Sequence, residues 1–177
     1  MMTKNSPTSV NRRADIVSAA IEVFAEIGYY RATTAKVAER AQISQPYVFR
    51  FFSTKEALLQ EALEVSWTRI LEAFRAVIET VAPDHQLEKE LVDAYIHIMK
   101  SYQNETLLQM QAQTIKEDMI AGVMQKGFRD IHQVVLEAFR RAGFEKPYER
   151  TMIFLARGML CNISMALSVP ELMLVDE

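Results

Sequence analysis

Apolar residues recur along this chain at three- and four-residue intervals, the spacing of helices that bury one face. Ile16, Ala19, Ala20, Val23, Phe24 and Ile27 form such a stripe and predict a first helix over about Asn11–Ile27, closed by Gly28. Residues 1–10 are polar and read as a frayed end. Val37, Ala38 and Ala41 predict a short helix with Thr34 as its cap, and Gln42 and Ile43 a tight turn. Ser44 caps a second short helix with Pro46 in its first turn, where a missing N–H costs little. On that helix Val48 and Phe52 turn inward, while Gln45, Tyr47 and Arg50 turn outward. Ser53-Thr54-Lys55-Glu56 reads as an S-x-x-E capping box that opens the next helix.

That helix runs from Thr54 to about Val81 and carries two apolar stripes. Leu59, Leu63, Ser66, Ile70, Ala73, Val77 and Val81 make one; Trp67, Leu71, Phe74 and Ile78 make the other. A helix with two apolar faces must touch two bodies. Pro83 ends it, and Asp84 caps a helix over roughly 85–103. Asn104 caps a shorter segment to about Thr114; longer helices follow over about Lys116–Ala142 and 147–168. The expected fold is all-α: a three-helix head, residues 1–53, on a helical-bundle body, residues 54–177.

Two short helices joined by a three-residue turn have the plan of a helix-turn-helix, whose second helix lies in the major groove of DNA. Charge moves the picture further. The whole chain is acidic, 20 Lys+Arg against 23 Asp+Glu. Residues 1–55 nevertheless hold eight basic and four acidic residues, +4, and the remainder carries −7. A basic head on an acidic body suits phosphate binding by one module. Lys55, set against the helix dipole, points to an anionic partner.

Residues 12–59 resemble the DNA-binding domain of the TetR family of bacterial repressors, through IVSAAIEVFAEIGYYRATT, VAERAQIS, QPYVFRFF and STKEALL in that order. Two positions depart from the pattern. Gln42 stands where glycine is usual, which predicts a strained left-handed residue at about 1 kcal/mol. Phe49 and Phe51 replace tyrosine and histidine or tyrosine, so Phe49 offers no hydroxyl to a phosphate and Tyr47 takes that place. With this resemblance, Gln45 and Tyr47 are expected to read bases, and Pro46 to pack on a thymine methyl or a sugar. Arg31, Thr33, Thr34, Lys36, Ser44, Arg50 and Lys55 complete the expected DNA-binding set, chiefly on phosphates.

Beyond Met1 and Met2, all eight methionines lie past residue 98, and methionine suits surfaces that accommodate varied apolar partners. Trp67, Phe74, Tyr95, Met99, Tyr102, Met110 and Gln113 are expected to line a cavity among the middle helices, and the resemblance implies a small apolar effector there. The last helix is apolar nearly all round and must be covered on every side. Met152, Ala156, Met159 and Ile163, with Val123, Phe128, Ile131, Val135 and Phe139 of the preceding helix, are the expected homodimer interface, and Gly158, Cys161 and Ser164 would allow close approach. A symmetric dimer implies a palindromic operator.

His85, His97 and His132 are scattered, no metal-ligand spacing occurs, and no nucleophile elbow or phosphate-cradling loop is found. The expectation is a non-enzyme without cofactor or metal. No stretch is apolar enough to span a bilayer and the N-terminus lacks an apolar leader, so a cytoplasmic location is expected. Lone Cys161 reads as a small buried hydrophobe. The rival is a helical small-molecule carrier or protein-interaction adaptor without DNA binding, which salt-dependent binding to duplex DNA distinguishes.

Overall fold

A computed structural model describes residues 7–173 of the chain, with side chains from residue 11 onward. Eight α-helices account for the described architecture: α1 Pro7–Ile27, α2 Thr34–Arg40, α3 Gln45–Phe49, α4 Lys55–Thr80, α5 Leu87–Ser101, α6 Gln103–Ala112, α7 Asp118–Arg141 and α8 Pro147–Leu167. A short 3₁₀ turn, Pro170–Leu172, follows α8. The first helix starts earlier than its apolar stripe suggests, so residues 7–10 are helical; residues 1–6 of the expected frayed end lie outside the described residues.

Two caps fall one residue away from their expected places. Thr33, not Thr34, caps α2, its hydroxyl accepting from the Lys36 amide, while Thr34 is buried. Thr54, not Ser53, caps α4 and accepts from the Ala57 amide at 3.1 Å. The capping box therefore does not form, and Glu56 accepts instead from the Tyr29 hydroxyl at 2.7 Å. Ser44 takes the cap position of α3 without a side-chain bond. Asp84 accepts from the Gln86 amide in the turn before α5, and α6 starts at Gln103 without a cap from Asn104.

The turn between α2 and α3 has a clear cause. Gln42 lies at φ 55°, and the Ile43 and Gln42 amides donate back to the Ala38 and Glu39 carbonyls. This is a Schellman closure with the left-handed position held by glutamine. It reverses the chain and lets Ile43 pack onto the core.

The long helix α4 connects everything else. It packs on α1 at its start and on α5, α6 and α7 farther along. Phe24, Val37, Val48, Phe52, Leu58 and Leu59 fill the head, and the same buried cluster continues through Leu63, Ile70 and Phe74 into the body. Arg13 seals the joint: its guanidinium pairs with Glu61, donates to the Phe51 carbonyl at 3.1 Å and lies over the Phe52 ring. It is therefore not free to reach a phosphate or a minor groove. A second tie comes from the body, where Gln111 of α6 donates to the Ala25 carbonyl of α1 at 2.9 Å.

At the α4–α7 crossing Trp67 lies flat on Gly127. A Cβ at Gly127 would fall 2.2 Å from the indole ring. Phe128 stacks edge-on against the same ring, and the indole N–H has no hydrogen-bond partner. Gly127→Ala would gain about 1 kcal/mol in helix propensity. Overpacking against a ring that cannot bend outweighs this, at about 1–3 kcal/mol. The variant is expected to unfold at lower urea concentration than the native chain, with altered Trp67 fluorescence in the folded baseline.

Candidate nucleic-acid interface

The outer surface of the head is made by the turn before α2, the start of α2 and the exposed side of α3. Arg31, Thr33 and Lys36 are exposed there, beside Ser44, Gln45, Pro46 and Arg50. Arg40, by contrast, is held by Glu22 and Glu26 of α1 at 2.8 and 2.7 Å. These pairs fix the angle of α2 on α1, and the Arg40 guanidinium holds the Glu26 carboxyl below its usual range. The free basic side chains are thus those facing away from the core.

Several expected contact residues are engaged inside the protein. Thr34 is buried and accepts from the Gln45 amide at 2.9 Å, so it holds α3 to α2 and leaves Gln45 one free end. Tyr47 is half-buried, stacked edge-on against Phe51, with the Arg50 guanidinium over its ring. Lys55 turns inward. Its ammonium donates to the Tyr29 and Ala32 carbonyls at 2.9 and 3.3 Å and sits over the Tyr29 ring. The charge expected to face a phosphate instead neutralises the carbonyl end of the α1–α2 turn. Beside it, the Tyr29 hydroxyl holds the Glu56 carboxyl below its usual range. The sequence reading missed this cluster because its members lie far apart in the chain.

Residues 16–62 match the model of the bacterial regulatory proteins of the tetR family. Over these residues the chain is similar to the DNA-binding part of TetR-family transcriptional regulators. It is similar to the transcriptional activator FasR of Mycolicibacterium smegmatis, 28% identical over 89 residues, which are 50% of this chain and 41% of FasR. The chain thus spans about two-fifths of that relative's length. It is also similar to the transcriptional regulator UidR of Escherichia coli, 25% identical over 148 residues, 80% of this chain and 69% of UidR. The fold is shared with FadR of Bacillus subtilis, solved in complex with stearoyl-CoA: TM-score 0.73, 15% identity and 88% of each chain covered.

The helical body holds an apolar cavity of about 70 Å³ between α4, α5, α6, α7 and α8. Trp67, Phe74, Tyr95 and Gln113 come together in its wall as expected from sequence. Met99, Tyr102 and Met110 do not. Met99 lies one turn beyond Tyr95 on α5, sealed in the core. Tyr102 is at the exposed α5–α6 corner beneath the Arg69 guanidinium, and Met110 is turned off the α6 face that presents Gln109 and Gln113. Of the methionines, Met159 reaches this wall. Val92, Ile96, Gln109, Phe154 and Asn162 line it without having been foreseen. Asn162 was detectable as an amide inside an apolar helix; it accepts from the Tyr95 hydroxyl at 2.7 Å. Burial pushes the Tyr95 hydroxyl up to about 12 and raises the Cys161 thiol.

The residues expected at a subunit interface divide into two groups. Val135 and Phe139 are fully buried within the single chain and Ile131 nearly so, because that side of α7 packs on α4 and α8; Phe139 meets Phe144 and Phe154. Phe128 and Ile131 face the cavity. Gly158 backs onto Tyr95, and Ser164 is buried with its hydroxyl on the Val169 carbonyl, so both face inward. Ala156 is exposed, Val123, Met159 and Ile163 are half-buried, and Met152 is 47% exposed. Ile153, Leu160 and Leu167 extend the same uncovered α8 surface, at 47%, 42% and 67% exposure.

Among the described residues no group of side chains suits a metal, and no helix is long and apolar enough to cross a membrane. Lys55→Met tests the inward role of this lysine. It is expected to lower head stability by about 1.5–3 kcal/mol in urea melts, the scale of a charge-assisted hydrogen bond. The salt dependence of duplex binding by the folded variant should remain that of the native chain.

Proposed function

We propose that the chain is a homodimeric transcriptional repressor that binds a palindromic operator and is released by a small apolar effector. Residues 1–53 serve as the DNA-binding head and residues 54–177 as the effector-binding and dimerisation body, in the cytoplasm. The observation that carries the DNA reading is the exposed surface of α2 and α3, with Arg31, Lys36, Gln45, Pro46 and Arg50 turned out of a tightly pinned head. Gln45 and Pro46 meet base edges; Arg31, Thr33, Lys36, Ser44 and Arg50 hold phosphates. Tyr47 supports α3 and steers Arg50 through its ring. The similarity to named DNA-binding regulators supports the class, and FasR, an activator, marks the alternative direction of control.

The effector reading rests on the body cavity. Its wall is mainly apolar and includes Trp67, whose buried N–H has no partner, together with Gln109 and Gln113. Those groups favour a compact apolar molecule carrying a hydrogen-bond acceptor. The FadR structure holding stearoyl-CoA supports a ligand-responsive body of this shape. Occupation of the cavity presses on α6, which is bonded to α1 through Gln111. Control of the head follows from that contact.

The dimer reading rests on α8, where Met152, Ile153, Ala156, Leu160, Ile163 and Leu167 form a continuous stripe at helical spacing. A second copy covers it with the same stripe.

Two measurements test these readings. Duplexes selected from a random pool should be bound with steep salt dependence, and Lys36→Ala and Arg50→Ala should each lower the slope of log K against log salt by about one. Salt-independent or absent binding leaves the carrier reading in its place. Leu160→Glu puts a charge in the centre of the α8 stripe. Sedimentation is expected to show a dimer for the native chain and a folded monomer for the variant.

A further inference from the structure

We propose that Phe49 is a specificity-determining residue that recognises the 5-methyl group of a thymine in the major groove. This rests on the reading of α3 as the helix that enters that groove. Phe49 is 48% exposed, although phenylalanine is among the residues most often buried. It makes none of the ring contacts that occupy Tyr47 and Phe51.

Helical geometry places it more centrally than any neighbour. At about 100° per residue, the exposed side of α3 runs in the order Gln45, Phe49, Pro46, Arg50, with Val48 on the opposite, buried side. Tyr47 falls outside this arc, against Phe51. A surface that touches both Gln45 and Pro46 must therefore meet the Phe49 ring between them.

The surroundings choose the occupant. Arg50 follows Phe49 in the chain, and Arg31 and Lys36 are exposed on the same head without a salt bridge to a carboxylate among the described residues. An exposed apolar ring on a head whose outer surface carries Arg31, Lys36 and Arg50 fits a polyanion that also offers an apolar point. Duplex DNA does so in the major groove through the thymine methyl. Against guanine O6 and N7, adenine N6 or cytosine N4 the ring would displace water and return no hydrogen bond, which is unfavourable. Phe49 thus favours thymine both by contact and by excluding the other bases.

The test uses the full-length protein and duplexes selected by it from a random pool. Each enriched thymine is replaced singly by deoxyuridine, which lacks only the methyl. One position per bound head is expected to lose affinity by about fourfold, the value of one buried methyl group. Phe49→Ala should bind the thymine and deoxyuridine duplexes equally at that position. Indifference of the native protein to every replacement overturns the proposal, as does discrimination retained by Phe49→Ala. Failure of the native protein to select any duplex overturns the DNA reading itself, a result separable from either.

Discussion

Everything above the head depends on how the first two turns of α4 are fastened to α1. Thr54 caps the helix, Lys55 closes the turn after α1, Glu56 holds Tyr29, and Glu61 holds Arg13. Three positions within two turns, Lys55, Glu56 and Glu61, thus bind the head before α4 leaves for the body. Because α4 packs on α5, α6 and α7, its direction sets the position of the cavity relative to α3. The head is small for an independent core, and this fastening lets it borrow the body's.

Helix order, the placement of the turn and the inward set Val37, Ala38, Val48 and Phe52 were legible because they depend on local spacing and composition. Gln42 was legible as a left-handed residue, and it lies at φ 55°. The caps were displaced by one residue because adjacent threonines and serines offer equivalent hydroxyls, and tertiary contacts choose between them. Thr34 lost the cap to Thr33 when its side chain was drawn under Gln45. Lys55 was misjudged for a related reason: helix-dipole reasoning sees an unfavourable charge at its own helix start. It does not see the carbonyls of the α1–α2 turn, brought to it by residues 29–32.

The body was less legible, since periodicity marks a buried side without naming what buries it. Val135 and Phe139 look the same in sequence as Leu160 and Leu167, yet the first pair is enclosed by α4 and α8 and the second is not. The cavity shows the same limit. Trp67, Phe74 and Tyr95 were found through their size, whereas Phe154 and Asn162 come from α8, far along the chain. Gly127 is a special case. Its importance lies in a side chain it lacks, and the residue that needs the space, Trp67, is on another helix.

Three of the ties that hold the head share one property. Lys55 bonds the carbonyls of Tyr29 and Ala32, Arg13 that of Phe51, and Gln111 that of Ala25. A main-chain carbonyl is present whatever side chain a residue carries. Much of the fastening therefore reads the path of the backbone rather than the letters of the sequence. The exposed face of α3 can thus change its side chains while these joints to the body stay intact.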